Sequence, residues 1–192
     1  MSIIIQADYW NGTQCVENEV PWQVPGSIHL LDATCKPTDT VVEIGTGGST
    51  LFYARRCKSV LSIETNRSWY ATMQKILEEK GITNVTYLLI EDQKSLEDKL
   101  SLLTDDFDIA SVDSVHGYDR SAFLTIILEK CKKLTTIVLD NYAARELFPN
   151  HHDKSVEQMV ALCGSGKWCG VDFDDSHWCG RGTRILRCAA EN

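Results

Sequence analysis

The sequence predicts an α/β fold, a doubly wound and mostly parallel sheet with helices on both faces. Three observations predict it. Residues Val41 to Thr50 read Val-Val-Glu-Ile-Gly-Thr-Gly-Gly-Ser-Thr, a β-branched run meeting a carboxylate, a tight glycine turn and small polar residues. That order suits a buried parallel strand turning sharply into a helix, because glycine takes positive φ and lets backbone approach a ligand. The next strand candidate, Val60 to Glu64, ends in a second carboxylate about twenty residues on, where a Rossmann-like sheet meets the hydroxyls of an adenosine ribose. Beyond Pro37, strand-like and helix-like segments alternate regularly, which is the signature of crossover connections and a parallel sheet.

Element by element, the first 38 residues form a preface containing Trp10, Pro21, Trp22 and Pro25. Apolar periodicity predicts a short helix over Ile28 to Ala33. The preface either covers a cofactor or substrate, or only covers one face of the sheet. The core, residues 39–192, begins with a strand at Val41 to Gly45, a helix at Ser49 to Cys57 and a strand at Val60 to Glu64. Asn66 is a suitable N-cap for the next helix, and Gly81 a suitable stop. A strand at Val85 to Ile90 and a polar Lys/Glu-rich helix follow. Then come a strand at Phe107 to Asp113, a helix at Ser121 to Lys132 and a strand at Thr136 to Asp140. A helix beginning near Asp153 leads into Trp168 to Val171, and the last strand spans Thr183 to Cys188. No repeat or linker divides the 192 residues, so one domain is expected.

Composition narrows the function classes. A net charge of −8 argues against a nucleic-acid partner, since phosphate binding relies on Lys and Arg. Arg55, Arg56 and Lys58 cluster where a helix should end, and cations there complement the macrodipole. No segment is long and apolar enough to span a membrane, and the N-terminus lacks the basic start and apolar core of a signal peptide. The expected location is cytoplasmic, with the eight cysteines mostly reduced and the sequons at Asn11, Asn66 and Asn84 unused. Cys163, Cys169, His177 and Cys179 have no Cys-x-x-Cys pair and fit no structural zinc module.

The glycine turn departs from a dinucleotide site. Gly45 and Gly47 match Gly-x-Gly-x-x-Gly, but Thr50 stands at the third glycine. Glu43, just before the turn, would repel a pyrophosphate and attract a cation. S-adenosylmethionine carries a sulfonium and an ammonium, and no phosphate. Glu43-x-Gly45-x-Gly47 resembles the first motif of class I S-adenosylmethionine-dependent methyltransferases, and Glu64 matches that family's ribose-binding acid. The resemblance implies a seven-stranded sheet with an antiparallel final strand pair. It places cofactor contacts at Glu43, Gly45, Thr46, Gly47, Ser49, Glu64, Glu91, Asp92 and Asp113. Related folds often dimerise, so a homodimer is among the expected assemblies.

Ligands of such sheets bind at the carboxyl ends of the strands. Each of the first five predicted strands ends in polar groups: Glu43, Glu64, Glu91-Asp92, Asp113 and Asp140-Asn141. Asp113-Ser114-Val115-His116-Gly117-Tyr118 and Asp140-Asn141-Tyr142 look like the Asp-x-x-Lys and Asp-Asn motifs of the catechol O-methyltransferase-like group, with His116 in place of Lys. That resemblance implies Mg²⁺ as a candidate cofactor on Asp113, Asp140 and Asn141. Two carboxylates and an amide oxygen make a hard site suited to such an ion. The alternative is substrate orientation or helix capping without metal. His116 is the candidate base, with Asp113 beside it, or else a hydrogen-bonded loop histidine. His151 and His152 are expected in a solvated loop, and the segment around Trp178 as a wall of the substrate pocket. Gly180-Arg181-Gly182-Thr183 resembles the glycine turn that opens the last strand of these enzymes.

The expected function is S-adenosylmethionine-dependent methyl transfer, at oxygen, to a small-molecule substrate. A catalytically inactive cofactor-binding or regulatory protein of the same fold is the alternative. A nicotinamide oxidoreductase is disfavoured by Glu43 and Thr50.

Overall fold

In a computed structural model, the described residues are 11–101, 106–113, 120–142, 154–174 and 182–188. Five strands run parallel: β1 (Thr40–Ile44), β2 (Ser59–Glu64), β3 (Val85–Leu89), β4 (Ile109–Val112) and β5 (Thr136–Asp140). β6 (Trp168–Phe173) and β7 (Thr183–Cys188) close one side, and β7 pairs antiparallel with both β5 and β6. The order is β3-β2-β1-β4-β5-β7-β6. The chain reverses direction across the sheet between β1 and β4, which opens the crevice where ligands of open α/β sheets bind.

Helices cover both faces. Val41, Val60, Ile109, Val138 and Ile185 pack against α2 (Pro25–Thr34) and α3 (Gly48–Arg56). The alternate residues Val42, Ile44, Leu61, Ala110, Ile137 and Leu139 pack against α5 (Gln93–Ser101), α6 (Arg120–Lys130) and α7 (Lys154–Gly164). Burial on both faces explains the unbroken apolar runs of the central strands. α4 (Arg67–Glu79) starts at Asn66, whose side chain accepts from the amides of Ser68 and Trp69. It buries Met73 and Leu77 against Leu51.

Some boundaries moved. α2 begins at Pro25 rather than Ile28, because proline fits the first helical turn, where no amide partner is needed. The fourth strand begins at Ile109 rather than Phe107. The Asp108 carboxylate there is spent on the Thr40 amide and hydroxyl, at 2.9 and 3.0 Å. A helix not expected from periodicity, α1 (Gly12–Glu17), is held by a capping box between Asn11 and Gln14.

The preface does two things. α2 lays Ile28 and Leu31 on the sheet. The backbone after α1 presses on the start of α3, where a Cβ on Gly48 would lie 1.9 Å from the Val20 carbonyl oxygen and 2.6 Å from that of Cys15.

Candidate active site

Period-two alternation puts Glu43, Glu64, Asp113 and Asp140 on the face that carries α2 and α3. Glu43 pairs in register with Ser62 on one side and Ser111 on the other. The four acids differ in how they are held, and the differences decide what each can do.

Glu43 is fully buried. Its carboxylate accepts from the hydroxyls of Ser62 at 2.7 Å and Ser49 at 3.0 Å. Burial pushes its pKa up to about 7, against the opposing effect of the Thr50, Ser62 and Ser49 hydroxyls. Glu43 therefore ties the first turn of α3 to the sheet from below. Both of these bonds run inward, to hydroxyls of the protein itself. The loop above it is shaped by Gly45, at φ 91° and in the left-handed region. The Gly47 amide donates to the Thr50 hydroxyl at 3.1 Å, so the residue at the third glycine position caps the loop.

Glu64, at the end of β2, is 5% exposed and sits directly beneath that loop. Its Oε2 accepts from the Thr46 hydroxyl at 2.6 Å, and its Oε1 from the amides of Thr65 and Asn66 at 2.7 Å each. The Trp69 indole donates to the Thr46 carbonyl at 2.8 Å, and the Tyr87 hydroxyl lies 3.1 Å from that of Thr46. Glu91 pairs with Arg67 across the ends of β2 and β3. Asp92 accepts from the Ser95 amide and hydroxyl at 2.9 and 2.6 Å. It caps the first turn of α5, a role set by local chain geometry.

Asp113 and Asp140 meet at the ends of β4 and β5. Asp140 is almost fully buried; Thr183 donates to its Oδ1 at 2.6 Å and the Asn141 amide to its Oδ2 at 2.8 Å. Burial, and then the charge of Asp113, hold its carboxyl well above the usual range. Asp113, half-buried, is raised to about 6 by burial, against the pull of Arg120 and a bond from the Asn141 side chain. Asn141 adopts φ 54°, which turns its amide back toward both acids. Arg120, at the start of α6, donates to the Asp140 carbonyl at 2.6 Å, and its charge acts on both carboxylates.

Arg120 and Thr183 were not singled out as site residues by the sequence. A lone Arg opening an apolar helix, seven positions after a strand-end Asp, was the available signal for the first. His116, His151, His152, His177, Trp178, Cys179, Gly180 and Arg181 lie outside the described residues. Among the described residues no three His, Cys, Asp or Glu side chains gather as a metal cluster, and no helix is long and apolar enough to cross a membrane.

The fold recurs in solved structures. A putative O-methyltransferase from Klebsiella pneumoniae superposes with a TM-score of 0.66 at 19% identity, over 96% of this chain and 93% of that one. The O-methyltransferase TomG from Streptomyces achromogenes, involved in tomaymycin synthesis and solved with SAM, gives 0.65 at 20% identity, over 93% of this chain and 88% of that one. The chain has the methyltransferase fold. An rRNA methylase from Streptococcus thermophilus shares it with a TM-score of 0.63 at 15% identity, over 85% of this chain and 94% of that one. No protein-family model and no curated protein matches the sequence.

Proposed function

We propose that this protein is an S-adenosylmethionine-dependent methyltransferase that modifies a small molecule at oxygen. The observation that carries the reading is the position of Glu64: a nearly buried carboxylate at the end of β2, directly under the Gly45–Gly47 loop. A carboxylate there suits a ribose diol and repels a phosphate at the same place. The solved O-methyltransferase with SAM and the same fold supports the choice of cofactor. In this reading Glu64 holds the ribose, and Gly45, Thr46 and Gly47 line the approach of the amino-acid part. The cofactor supplies an electrophilic methyl group on a sulfonium. The chain's own groups then have to align the acceptor and remove its proton. Asp113 lies at the rim for alignment, and His116, three residues on, is the base we assign from sequence position.

The acceptor class follows from charge. Two of the three clustered cations are already engaged, Arg55 with Glu19 and Arg56 with Asp32, so they present no free strip to a phosphate backbone. With a net charge of −8, a small polar molecule is favoured over the RNA on which the similar rRNA methylase acts.

The residues at the ends of β4 and β5 fit a hard divalent cation. Burial raises both Asp113 and Asp140, the charge of Asp113 raises Asp140 further, and Asn141 adds an amide between them. Mg²⁺ there would be held by Asp113, Asp140 and Asn141, and would polarise a substrate hydroxyl. One observation favours a second, metal-free reading: Arg120 already brings a cation to the same two acids.

Isothermal calorimetry with S-adenosylhomocysteine, with and without Mg²⁺, tests both parts. Binding that is lost in Glu64→Ala is the expected result. A metal heat that disappears in Asp140→Ala selects the Mg²⁺ reading. Cofactor binding without methyl transfer to any phenol, catechol or amine would point to the inactive alternative.

A further inference from the structure

The acid assigned to the ribose has no acceptor site left for it. An ionised carboxylate offers about four lone-pair sites. Glu64 uses four donors: the amides of Thr65 and Asn66 on Oε1, both at 2.7 Å, and the Thr46 hydroxyl and amide on Oε2, at 2.6 and 3.3 Å. The two bonds on Oε1 belong to the turn between β2 and α4. That turn is fixed because Asn66 is the N-cap of α4. Losing them would leave two amides of that turn without their acceptor, while the Asn66 side chain still caps α4.

Among the described residues, the bonds on Oε2 come from Thr46, a residue of the glycine loop. Because Glu64 can only accept, the Thr46 hydroxyl donates to it, and the Tyr87 hydroxyl at 3.1 Å must then donate to Thr46. Tyr87 is stacked on Tyr70, with ring centroids 4.4 Å apart, and is thereby held in place to do so. Thr46 is thus gripped through its hydroxyl by Glu64 and Tyr87, and through its carbonyl by Trp69.

We infer that Thr46 is an internal competitor for the ribose: its hydroxyl makes the bond to Glu64 that a nucleoside diol would make, and it must yield when the nucleoside binds. This rests on the cofactor reading above. Rotation of the Thr46 side chain frees the hydroxyl's place on Oε2, leaving the longer amide bond and the turn on Oε1 undisturbed. The chain therefore lowers its own affinity for the nucleoside by the strength of that bond. A hydroxyl bonded to a charge is among the stronger neutral-donor contacts. Affinity for cofactor and spent cofactor alike is set partly by Thr46, and the spent form would be released more readily than from an open site.

The test measures S-adenosylhomocysteine binding by calorimetry and melting of the ligand-free protein, in wild type, Thr46→Val, Thr46→Ser and Glu64→Ala. Competition predicts opposite signs for Thr46→Val: a lower ligand-free melting temperature, and binding tighter by roughly tenfold. Thr46→Ser keeps the hydroxyl and should bind like wild type. Tyr87→Phe leaves Glu64 and the loop sequence intact, weakens the grip on Thr46, and should shift affinity in the same direction as Thr46→Val. Equal or weaker binding in both Thr46→Val and Tyr87→Phe, with binding abolished in Glu64→Ala, overturns the inference and leaves the cofactor reading standing. Absence of binding in wild type and every variant removes the cofactor reading, and this inference with it.

Discussion

Ser62 on β2 donates its hydroxyl to Glu43 on β1 at 2.7 Å, and the two residues stand in register across the parallel pair beneath the glycine loop. A charge at the centre of the sheet is thereby bonded to two hydroxyls rather than to a cation. Its environment makes Glu43 a proton-binding group near neutral pH.

Glu43 should tilt the stability profile. Its folded pKa is raised from 4.5 to about 7 by burial. Between these values the folded protein holds a proton that the unfolded chain has released, so stability from this group falls as pH rises from 4.5 to 7. It is flat on either side of that window. The fall is on the order of 3 kcal/mol. Urea denaturation across the window should show this slope in wild type and its loss in Glu43→Gln. An unchanged slope in the variant would mean that Glu43 does not titrate there.

Gly48 should not tolerate a side chain. A methyl group there meets the Val20 and Cys15 carbonyls, which are backbone and cannot rotate away. Gly48→Ala should cost about 1–3 kcal/mol or more, and detach the segment after α1 from α3. Chemical denaturation with limited proteolysis of the preface reads both effects. Wild-type stability and protection would contradict the packing described.

Thr183→Val removes the hydroxyl donor to Asp140 Oδ1 with little change of shape. The loss is about 1–3 kcal/mol at a pH above the raised pKa of Asp140, where the bond supports the charged carboxylate, and less at a pH below it. Thr183→Ser should restore wild-type behaviour. A loss that is the same at both pH values would trace to packing rather than to Asp140.

Arg120→Met removes the positive charge that acts on both Asp113 and Asp140. Mg²⁺ should then raise the melting temperature of the variant more than that of wild type, because the ion replaces the lost charge. Thermal melts with Mg²⁺ and with a chelator provide the comparison. An identical Mg²⁺ response in both proteins would show that Arg120 and the ion do not share the two acids.

Much of the fold was legible because it rests on period and order. β-branched runs with helical segments between them marked the strands, and turn chemistry at Asn66 and Gly81 marked the bounds of α4. The resemblance supplied the seventh strand and its antiparallel pairing, which the sheet shows. α1 was missed because six residues are too few for a periodic signal; its capping box is local chemistry. At the site, the sequence put acids at strand ends but could not say where their oxygens point. Glu43 turns to Ser49 and Ser62, and Asp92 to Ser95, because partners one strand or one turn away reach them first. The bond from Thr46 to Glu64 spans eighteen residues and exists only once β1 and β2 are side by side. Arg120 reaches Asp140 across a similar gap in sequence, between two strands' ends, and no local pattern encodes that meeting.

The central claim is that the loop at Gly45 to Gly47 and the carboxylate of Glu64 form a nucleoside site for a methyl donor. Titration of the purified protein with S-adenosylhomocysteine by calorimetry tests it most directly. The account predicts saturable binding in the micromolar range that is lost in Glu64→Ala while the variant keeps its circular dichroism spectrum. No heat of binding, together with no shift in melting temperature at high ligand concentration, would contradict it.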